Sequence, residues 1–384
     1  MQSVPAALDD APPAVLSTLL ARADVRFNGT RPWDLQVHRP RLYRRLLTQW
    51  SLGAGEAYVD GDWDCARLDM LFDRLLRADL DRTAPGLARV QLLLEGLRQR
   101  LVNRQTEARA HQVGERHYDA GNDVFEAMLD SRMIYSCGYW ARATDLEHAQ
   151  EDKLAMICRK LELQPGQTLL DIGCGWGGLA QYAAERHGVR VTGVTISKEQ
   201  LALARQRCAG LPITLLLQDY RALAGRFDKI VSVGMFEHVG LKNYATYFDT
   251  ARRLLAPEGL FLLHSIGVDR RAMHTDPWIE RHIFPNGKLP SPAELGQALE
   301  GRFVIEDWHN FGPDYDRTLM CWAERLEAAW PRLAARYDEA LRRMFRYYLL
   351  SCAGFFRSRQ GQLWQLVLSL PHRRGVYRSY RPAA

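Results

Sequence analysis

Residues 168–178, TLLDIGCGWGG, constrain the fold of this chain more than any other stretch. An apolar strand pattern leads into three glycines within five positions, Gly173, Gly175 and Gly177. A helix pattern and a second apolar stretch, residues 189–197, come next. Glycines allow tight turns and a close approach of ligand to backbone, and the helix behind them presents free N–H groups. The pattern predicts a β-α-β unit that holds a nucleoside-bearing cofactor at the carboxyl ends of parallel strands.

The glycine spacing separates the classes of nucleotide-binding loop. The string GCGWGG matches neither the dinucleotide spacing G-x-G-x-x-G nor the phosphate-loop spacing G-x-x-x-x-G-K-[ST]. With the residues before it, DIGCGWGG resembles the first motif of class I S-adenosylmethionine (SAM) methyltransferases, in which this loop wraps the amino-acid end of the cofactor. Their second strand usually ends in an acidic residue that binds the ribose, whereas this chain has Thr195, Ile196 and Ser197 there. A glycine turn that binds no ligand is the alternative interpretation.

Helix and strand patterns alternate around this loop. Strand patterns cover residues 168–172, 190–195, 213–217, 228–233 and 259–265. Helix patterns cover residues 149–161, 177–187, 198–208 and 243–255. This order predicts an α/β fold with a doubly wound, mostly parallel, Rossmann-like sheet. Further on we expect an insert at about 268–300 that builds the acceptor pocket, and long helices from about Thr318 to Leu368.

Composition excludes several classes of protein. The chain has 384 residues, of which 47% are hydrophobic and 25% charged, as is typical of a globular protein with two domains. No apolar run reaches the roughly 18 residues of a membrane-spanning helix, and the N-terminus lacks the basic region and cleavage site of a signal peptide. Seven cysteines without close pairs predict a reducing, cytoplasmic location, and no spacing predicts a metal site.

Basic residues are concentrated in two stretches of a chain whose net charge is +6. They are Arg89, Arg98, Arg100, Arg104 and Arg109, and near the C-terminus Arg373, Arg374, Arg378 and Arg381. This balance favours an anionic partner, either nucleic acid or a lipid surface, and a solvated face is the alternative. Residues 85–105 have the spacing of a basic amphipathic helix, which either lies on an anionic membrane or packs on its own domain.

Two polar side chains follow apolar strands of the predicted sheet. Glu237 lies just past one strand, in VGMFEHVG, and His264 ends the next, in FLLHSIG. Strand ends of an open α/β sheet converge on the ligand crevice, so we expect both side chains near the cofactor and near each other. Tyr135, Ser136 and Cys137 lie upstream among aromatic residues. Each of these residues has a structural alternative: a solvated glutamate, a hydrogen-bonded core histidine, or core packing.

At this point the chain resembles the bacterial cyclopropane-fatty-acyl-phospholipid synthases over nearly its whole length. The strings that carry the resemblance include SLGAGEAYVDGDWD, HYDAGND, YSCGYW, LDIGCGWGGLA, GVTIS, SVGMFEHVG, EDWHNFGPDY and YYLLSCAGFF. The resemblance implies transfer of the SAM methyl to a cis double bond of a phospholipid acyl chain, followed by deprotonation by bound bicarbonate and ring closure. It also implies a homodimer and peripheral association with the inner face of the cytoplasmic membrane. Nothing in the sequence resembles a nucleic-acid-binding motif.

The resemblance assigns residues to two ligands. The implied bicarbonate ligands are Cys137, Glu237, His264, Tyr315 and the backbone of Ile266. Cys352 is implied to lie near the catalytic groups, with packing of a helix as its alternative. For the cofactor, the implied contacts are Tyr135, Ser136, Gly173, Cys174 and Gly175 at the methionine end, Thr195, Ile196 and Gln200 at the ribose, and Gln218, Asp219 and Tyr220 at the adenine.

The domain organisation follows from the same comparison. Residues 1–105 are expected to form a helical, lipid-docking domain, residues 106–120 a linker, and residues 121–384 the catalytic domain. Two other functions remain open at this point. One is a related SAM-dependent methyltransferase whose product is methyl-branched or hydroxylated, and the other is a non-catalytic lipid- or nucleic-acid-binding protein. The intact set of Cys137, Glu237, His264 and Tyr315 favours deprotonation and ring closure.

Overall fold

The computed structural model of this protein describes residues 11–80, 121–271 and 275–381. The N-terminal part, residues 11–80, is helical, as the sequence predicts. Its elements are α1 (Ala14–Arg22), β1 (Gln36–Val37), α2 (Arg41–Val59), β2 (Trp63–Asp64) and α3 (Leu68–Arg77). The predicted amphipathic helix at 85–105 and the linker at 106–120 lie outside the described residues.

A seven-stranded sheet forms the centre of the remaining part. In chain order, the helices and strands between residues 122 and 268 are α4 (Asn122–Met128), α5 (Leu146–Lys160), β3 (Thr168–Ile172), α6 (Gly178–His187), β4 (Arg190–Thr195), α7 (Lys198–Arg207), β5 (Ile213–Leu217), β6 (Phe227–Val233), α8 (Tyr244–Leu254) and β7 (Leu255–Val268). Strands β5, β4, β3, β6 and β7 are neighbours in that order and parallel. Leu169 and Leu170 pack in different apolar clusters, so both faces of the sheet are covered.

The C-terminal region differs from its prediction. It contains α9 (Pro277–His282), α10 (Pro292–Leu299), β8 (Val304–Asn310), α11 (Pro313–Leu333), α12 (Glu339–Arg357) and β9 (Gly361–Ser369). The predicted helix up to Leu368 is therefore wrong after residue 357, because β9 is a strand that runs antiparallel between β7 and β8. All nine of its residues are buried. A strand buried on both faces is continuously apolar, and its periodicity does not distinguish it from a buried helix.

Helix α12 connects the N-terminal part to the rest of the molecule. Arg343 donates to the carbonyl of Tyr58 at 2.6 Å and to the carboxylate of Asp64 at 2.8 Å. Near the other end, Arg357 pairs with Asp69 of α3, whose side chain is 1% exposed. A Cβ atom at Gly354 would lie 2.6 Å from Cβ of Phe72, so glycine permits the close approach of α12 to α3.

The insert predicted at about 268–300 folds against these helices. Asp276 caps α9 by accepting the backbone N–H groups of Trp278 and Ile279, each at 3.0 Å. Trp278 is 1% exposed and its ring lies 4.5 Å from that of Tyr347 on α12. The insert thus packs between α2 and α12. No helix in the described part of the chain combines the length and apolarity needed to cross a membrane.

Candidate active site

One cavity of about 710 Å³ opens at the carboxyl ends of the parallel strands. The glycine loop after β3 lines one region of it, together with the residues that follow β4, β5 and β6. Apolar side chains of the N-terminal part and of α12 line another region, among them Leu20, Phe27, Leu46, Trp50 and Phe356. The same cavity therefore joins a polar crevice at the sheet to an apolar channel.

The glycine loop has the backbone that its sequence predicts. Gly173, Gly175 and Gly177 have φ values of 87°, 53° and 81°, in the left-handed region that favours glycine. A Cβ atom at Gly173 would lie 2.8 Å from Cβ of Met235. The N–H groups of Gly173 and Cys174 donate to the carbonyl of Val194 at 2.9 and 3.0 Å, so the loop turns over the end of β4.

All eleven residues that the sequence assigns to the cofactor line this cavity. They are Tyr135, Ser136, Gly173, Cys174, Gly175, Thr195, Ile196, Gln200, Gln218, Asp219 and Tyr220. Thr195 donates its hydroxyl to Oε1 of Gln200 at 3.2 Å, so these two side chains form one polar edge. The carboxylate of Asp219 accepts from the Arg221 guanidinium at 2.9 and 2.6 Å, which fixes its orientation. These polar groups, with the glycine loop, would hold the ribose, adenine and amino-acid parts of SAM.

Lys153 is a buried residue of the cavity wall that the sequence analysis missed. Its side chain is fully buried, lines the cavity, and donates to Oγ of Ser136 at 2.8 Å. Burial lowers the pKa of Lys153 to about 8, while Asp130, Cys137 and Asp171 oppose that shift. Burial also raises the pKa of Asp171 to about 7. Lys153 occupies the apolar stripe of α5, four residues after Ala149 and three before Met156, and this position was the available signal.

Glu237 and His264 both line the cavity, as expected from their places at neighbouring strand ends. Oε1 of Glu237 accepts the backbone N–H of Ile266 at 2.6 Å. This bond occupies the N–H of Ile266, whose backbone the resemblance assigns to bicarbonate. Among the described residues, neither Oε2 of Glu237 nor Nε2 of His264 has a hydrogen-bond partner. Two buried polar atoms without partners in one crevice indicate a polar ligand.

Burial controls the charge of these two groups. It raises the pKa of Glu237 to about 7, against the opposing effect of the Ile266 N–H. It lowers the pKa of His264 well below the usual range, and the positive charges of Lys153 and Lys160 lower it further. At neutral pH the imidazole of His264 is therefore uncharged.

Two implied bicarbonate ligands remain, Tyr315 and Cys137, together with Cys352, which is implied only to lie near the catalytic groups. The structure places these three side chains differently. Tyr315 lines the cavity and stacks on Phe356 with ring centroids 4.5 Å apart. Cys137 is not among the residues that line the cavity; its thiol donates to the carbonyl of Gly138 at 3.0 Å and lies 3.8 Å from Oγ1 of Thr318. Cys352 lines the cavity, and burial raises the pKa of its thiol to about 12. The thiol form of Cys352 is a poor nucleophile.

Comparison with known proteins identifies the family of this chain. The family model described as mycolic acid cyclopropane synthetase matches residues 105–366. The cyclopropane-fatty-acyl-phospholipid synthase of Escherichia coli (strain K12) is 54% identical over 369 residues, covering 96% of this chain and 95% of the relative. The chain belongs to the cyclopropane synthase family.

Other family members and more distant methyltransferases agree with this placement. A probable fatty acid methyltransferase of Pseudomonas putida is 38% identical, over 88% of this chain and 87% of the relative. The solved cyclopropane synthase MmaA2 of Mycobacterium tuberculosis has a TM-score of 0.64 and 32% identity, covering 67% of this chain and 97% of that one. The same values hold for the mycolic acid cyclopropane synthase CmaA1, solved with SAH and CTAB.

The solved coclaurine N-methyltransferase is 22% identical to this chain, with a TM-score of 0.66. At that identity the likeness shows a common fold and nothing more. The predicted class I SAM methyltransferase fold is therefore confirmed. The protein is a SAM-dependent methyltransferase, which excludes the non-catalytic alternative.

Proposed function

We propose that this protein converts a cis double bond within a phospholipid acyl chain into a cyclopropane ring, using the methyl carbon of SAM and bicarbonate as the base. The observation that carries the proposal is a single cavity with two kinds of wall. Its polar region holds the glycine loop, Glu237 and His264, and its apolar region extends into the N-terminal part. The name of the E. coli relative supports the same reaction.

The polar region suits the methyl donor. When bound, SAM supplies an activated methyl group next to its sulfonium centre. The glycine loop leaves room for the methionine end, and the buried ammonium of Lys153 together with Ser136 provides polar partners for it. Thr195 and Gln200 present hydroxyl and amide groups where the ribose would lie. The crevice is largely shielded from water, which protects a carbocation formed on an acyl chain.

Bicarbonate fits the two atoms that lack partners. When bound, it supplies the base that takes a proton from the added methyl group, after which the ring closes. Oε2 of Glu237 is an acceptor for the bicarbonate hydroxyl, and the tyrosine hydroxyl of Tyr315 and the imidazole of His264 are donors for its oxygens. The side chain of Cys137 points towards Thr318 instead, so any contact from this residue would come from its backbone.

The apolar region suits the acyl chain. Leu20 and Phe27 come from the beginning of the N-terminal part, Leu46 and Trp50 from α2, and Phe356 from α12. Helix α2 is interrupted at Trp50, where φ is 49° and ψ is −121°. This break turns an aromatic side chain into the channel. Aromatic rings there would also stabilise a nearby cation through their faces.

Delivery of a phospholipid requires contact with a membrane, and we propose peripheral association with an anionic lipid surface through residues 85–105. This proposal rests on the sequence, since the segment lies outside the described residues. Changing Arg98, Arg100 and Arg104 together to Glu should abolish binding to anionic vesicles. Unchanged vesicle binding would contradict the docking role.

We also propose a homodimer, which sedimentation equilibrium would distinguish from a monomer.

The alternative product is a methyl-branched or hydroxylated acyl chain. It would form if the cation were reduced or met water instead of losing a proton. Oε2 of Glu237 is buried and has no partner in the part of the chain that the structure describes, and this favours deprotonation because the oxygen gives the base a proton acceptor of its own.

Mass spectrometry of vesicles tests the proposal. Vesicles of cis-monounsaturated phospholipid are incubated with the protein, SAM and bicarbonate. A product heavier by one CH2 unit and resistant to olefin-specific cleavage would support ring formation. A hydroxylated or methyl-branched product would support the alternative. Unchanged lipid, with SAM still bound, would overturn the assignment of the acceptor.

A further inference from the structure

A row of buried polar side chains runs behind His264, on the side away from the cavity. His264 on β7 and Gln365 on β9 are directly paired across the two antiparallel strands. Nε2 of Gln365 lies 3.2 Å from Nδ1 of His264. On its other side, Oε1 of Gln365 accepts from Nζ of Lys160 on α5 at 2.8 Å. His264 is 1% exposed and the other two are fully buried, so water does not compete for these bonds.

The far end of the row is held by further contacts. Nζ of Lys160 lies 3.0 Å from Nδ1 of His309 and 3.7 Å from Oδ2 of Asp307. Asp307 in turn accepts the Ser379 hydroxyl at 2.9 Å and pairs with Arg381. Lys160 thus has the Gln365 oxygen and the His309 ring nitrogen within hydrogen-bond distance, and the Asp307 carboxylate close by. Even as a neutral amine it has two N–H bonds, one for Gln365 and one for His309.

The chemistry of these groups determines which atom of each faces the next. Oε1 of Gln365 faces Nζ of Lys160 at 2.8 Å, and this lysine can donate to it as an ammonium or as a neutral amine. The amide NH2 group of Gln365 therefore faces His264, and it only donates. Nδ1 of His264 must then be the acceptor of that bond. A neutral imidazole carries one proton, and this proton is consequently on Nε2.

We propose that Lys160 and Gln365 are positioning residues that hold the His264 proton on Nε2, so that the imidazole donates into the cavity. The opposite tautomer would present a lone pair to the cavity and repel a bound oxyanion. In this way two residues that do not line the cavity set the ligand preference of one that does. The identity of the oxyanion as bicarbonate rests on the proposed function, whereas the position of the proton does not.

The substitution Gln365→Glu tests this relay, the row of hydrogen bonds from Lys160 through Gln365 to His264, with little change in side-chain shape. Its carboxylate would accept from both Lys160 and His264, which favours a proton on Nδ1. Gln362→Glu is the matched control, because it introduces the same charge on the same strand, where Gln362 bonds to Asn310 instead. Thermal unfolding and SAM binding by calorimetry establish that each variant is folded. Lys160→Met is a second variant, which frees the Gln365 amide to rotate and should give a mixture of tautomers.

Nitrogen NMR of the histidine-labelled protein reads the tautomer without turnover, and the His264 signals are assigned by their loss in His264→Gln. We expect Nε2–H in the wild-type protein and in Gln362→Glu, and a proton on Nδ1 in Gln365→Glu. Activity of Gln365→Glu at subsaturating bicarbonate should fall by about 100-fold, as is typical for the loss of one donor to an anion. A wild-type proton on Nδ1, or an unchanged signal in Gln365→Glu, would overturn the relay. If the NMR signals of His264 were as expected but no cyclopropane ring formed, the proposed function would be wrong and the assignment of the His264 proton would stand.

Discussion

The carboxylate of Glu237 accepts the backbone N–H of Ile266 at 2.6 Å, and this bond joins the segment after β6 to the C-terminal end of β7. It fixes one oxygen of the carboxylate and leaves the other, Oε2, buried without a partner among the described residues. Because His264 lies two residues before Ile266 on the same strand, the bond also sets the position of Glu237 relative to the imidazole. The bond thus ties the segment that carries Glu237 to the strand that carries His264.

The first test concerns the oxygen that this bond leaves unpaired. In Glu237→Gln the amide oxygen can keep the bond to Ile266, while the amide nitrogen replaces an acceptor by a donor. We expect ring formation to fall by about 100- to 1000-fold, the usual effect of losing one group that assists proton transfer or holds an anion. The measurement is conversion of cis-unsaturated phospholipid by mass spectrometry. SAM affinity should stay unchanged, and a variant with wild-type conversion would contradict the role of Glu237.

The same substitution has an expected effect on stability, with the opposite sign. Burial raises the pKa of Glu237 from 4.5 to about 7, so the folded protein binds this proton more tightly than the unfolded chain does. This residue's contribution to the free energy of unfolding therefore falls as the pH rises from about 4.5 to about 7. Above that range, Glu237→Gln should be more stable than the wild type by up to about 3 kcal/mol. Urea unfolding of both proteins at pH about 5 and about 8 measures this difference, and an equal difference at the two pH values would refute the explanation.

Lys153 is expected to act on the methyl donor. Its removal in Lys153→Met deletes the bond to Ser136 and the positive charge that opposes protonation of Asp171. We expect SAM affinity, measured by isothermal titration calorimetry, to fall by at least about tenfold, or about 1.4 kcal/mol. Lys198→Met is the control, since Lys198 is an exposed residue at the start of α7. Equal SAM affinity in the two variants would mean that Lys153 has only a packing role.

Asp69 is expected to determine how firmly the N-terminal part is attached. Burial alone would raise its pKa, but Arg67 and Arg357 lower it to about 2. These pairs stabilise the fold above the unfolded-state pKa of 3.8, and their contribution is lost as the pH falls towards about 2. Asp69→Ala should lower the free energy of unfolding by about 3 kcal/mol, since it leaves Arg357 without one of its two carboxylates.

The matched control for that measurement lies on the same helix. Asp73 pairs with Arg77 one turn along α3, at a position that is partly exposed. Asp73→Ala should change the free energy of unfolding by only about 0.5 kcal/mol, as is typical of such surface pairs. If both variants lost the same amount, the buried pair between α3 and α12 would have no special importance.

The sequence predicts the part of the fold that local patterns encode. Strands β3 to β7 and the helices between them follow from periodicity, and the glycine loop follows from residues that tolerate positive φ. Glu237 and His264 could be placed because the ends of parallel strands meet at one edge of a sheet. In contrast, β9 pairs with β7 across about a hundred residues of chain, and no local pattern reports such a partner.

The sequence analysis missed some residues in and behind the site, and the direction of one side chain, for two physical reasons. Lysines and glutamines on helices and strands are usually exposed, so Lys153, Lys160 and Gln365 give no signal unless their place on an apolar stripe is noticed. The direction of a side chain is equally hidden in a sequence. Cys137 lies in the motif that the resemblance implies, but its thiol turns towards Thr318 and away from the cavity. Only the packing of α11 determines that direction.

The position of β9 has a consequence for how this protein is made. The strand comes much later in the chain than β7, yet it lies beside β7 inside the sheet and supplies the partner of His264. Until residue 369 has left the ribosome, β7 keeps an unpaired edge and Nδ1 of His264 has no amide to accept from. A chain that has not yet reached β9 therefore cannot acquire the finished proton arrangement at His264.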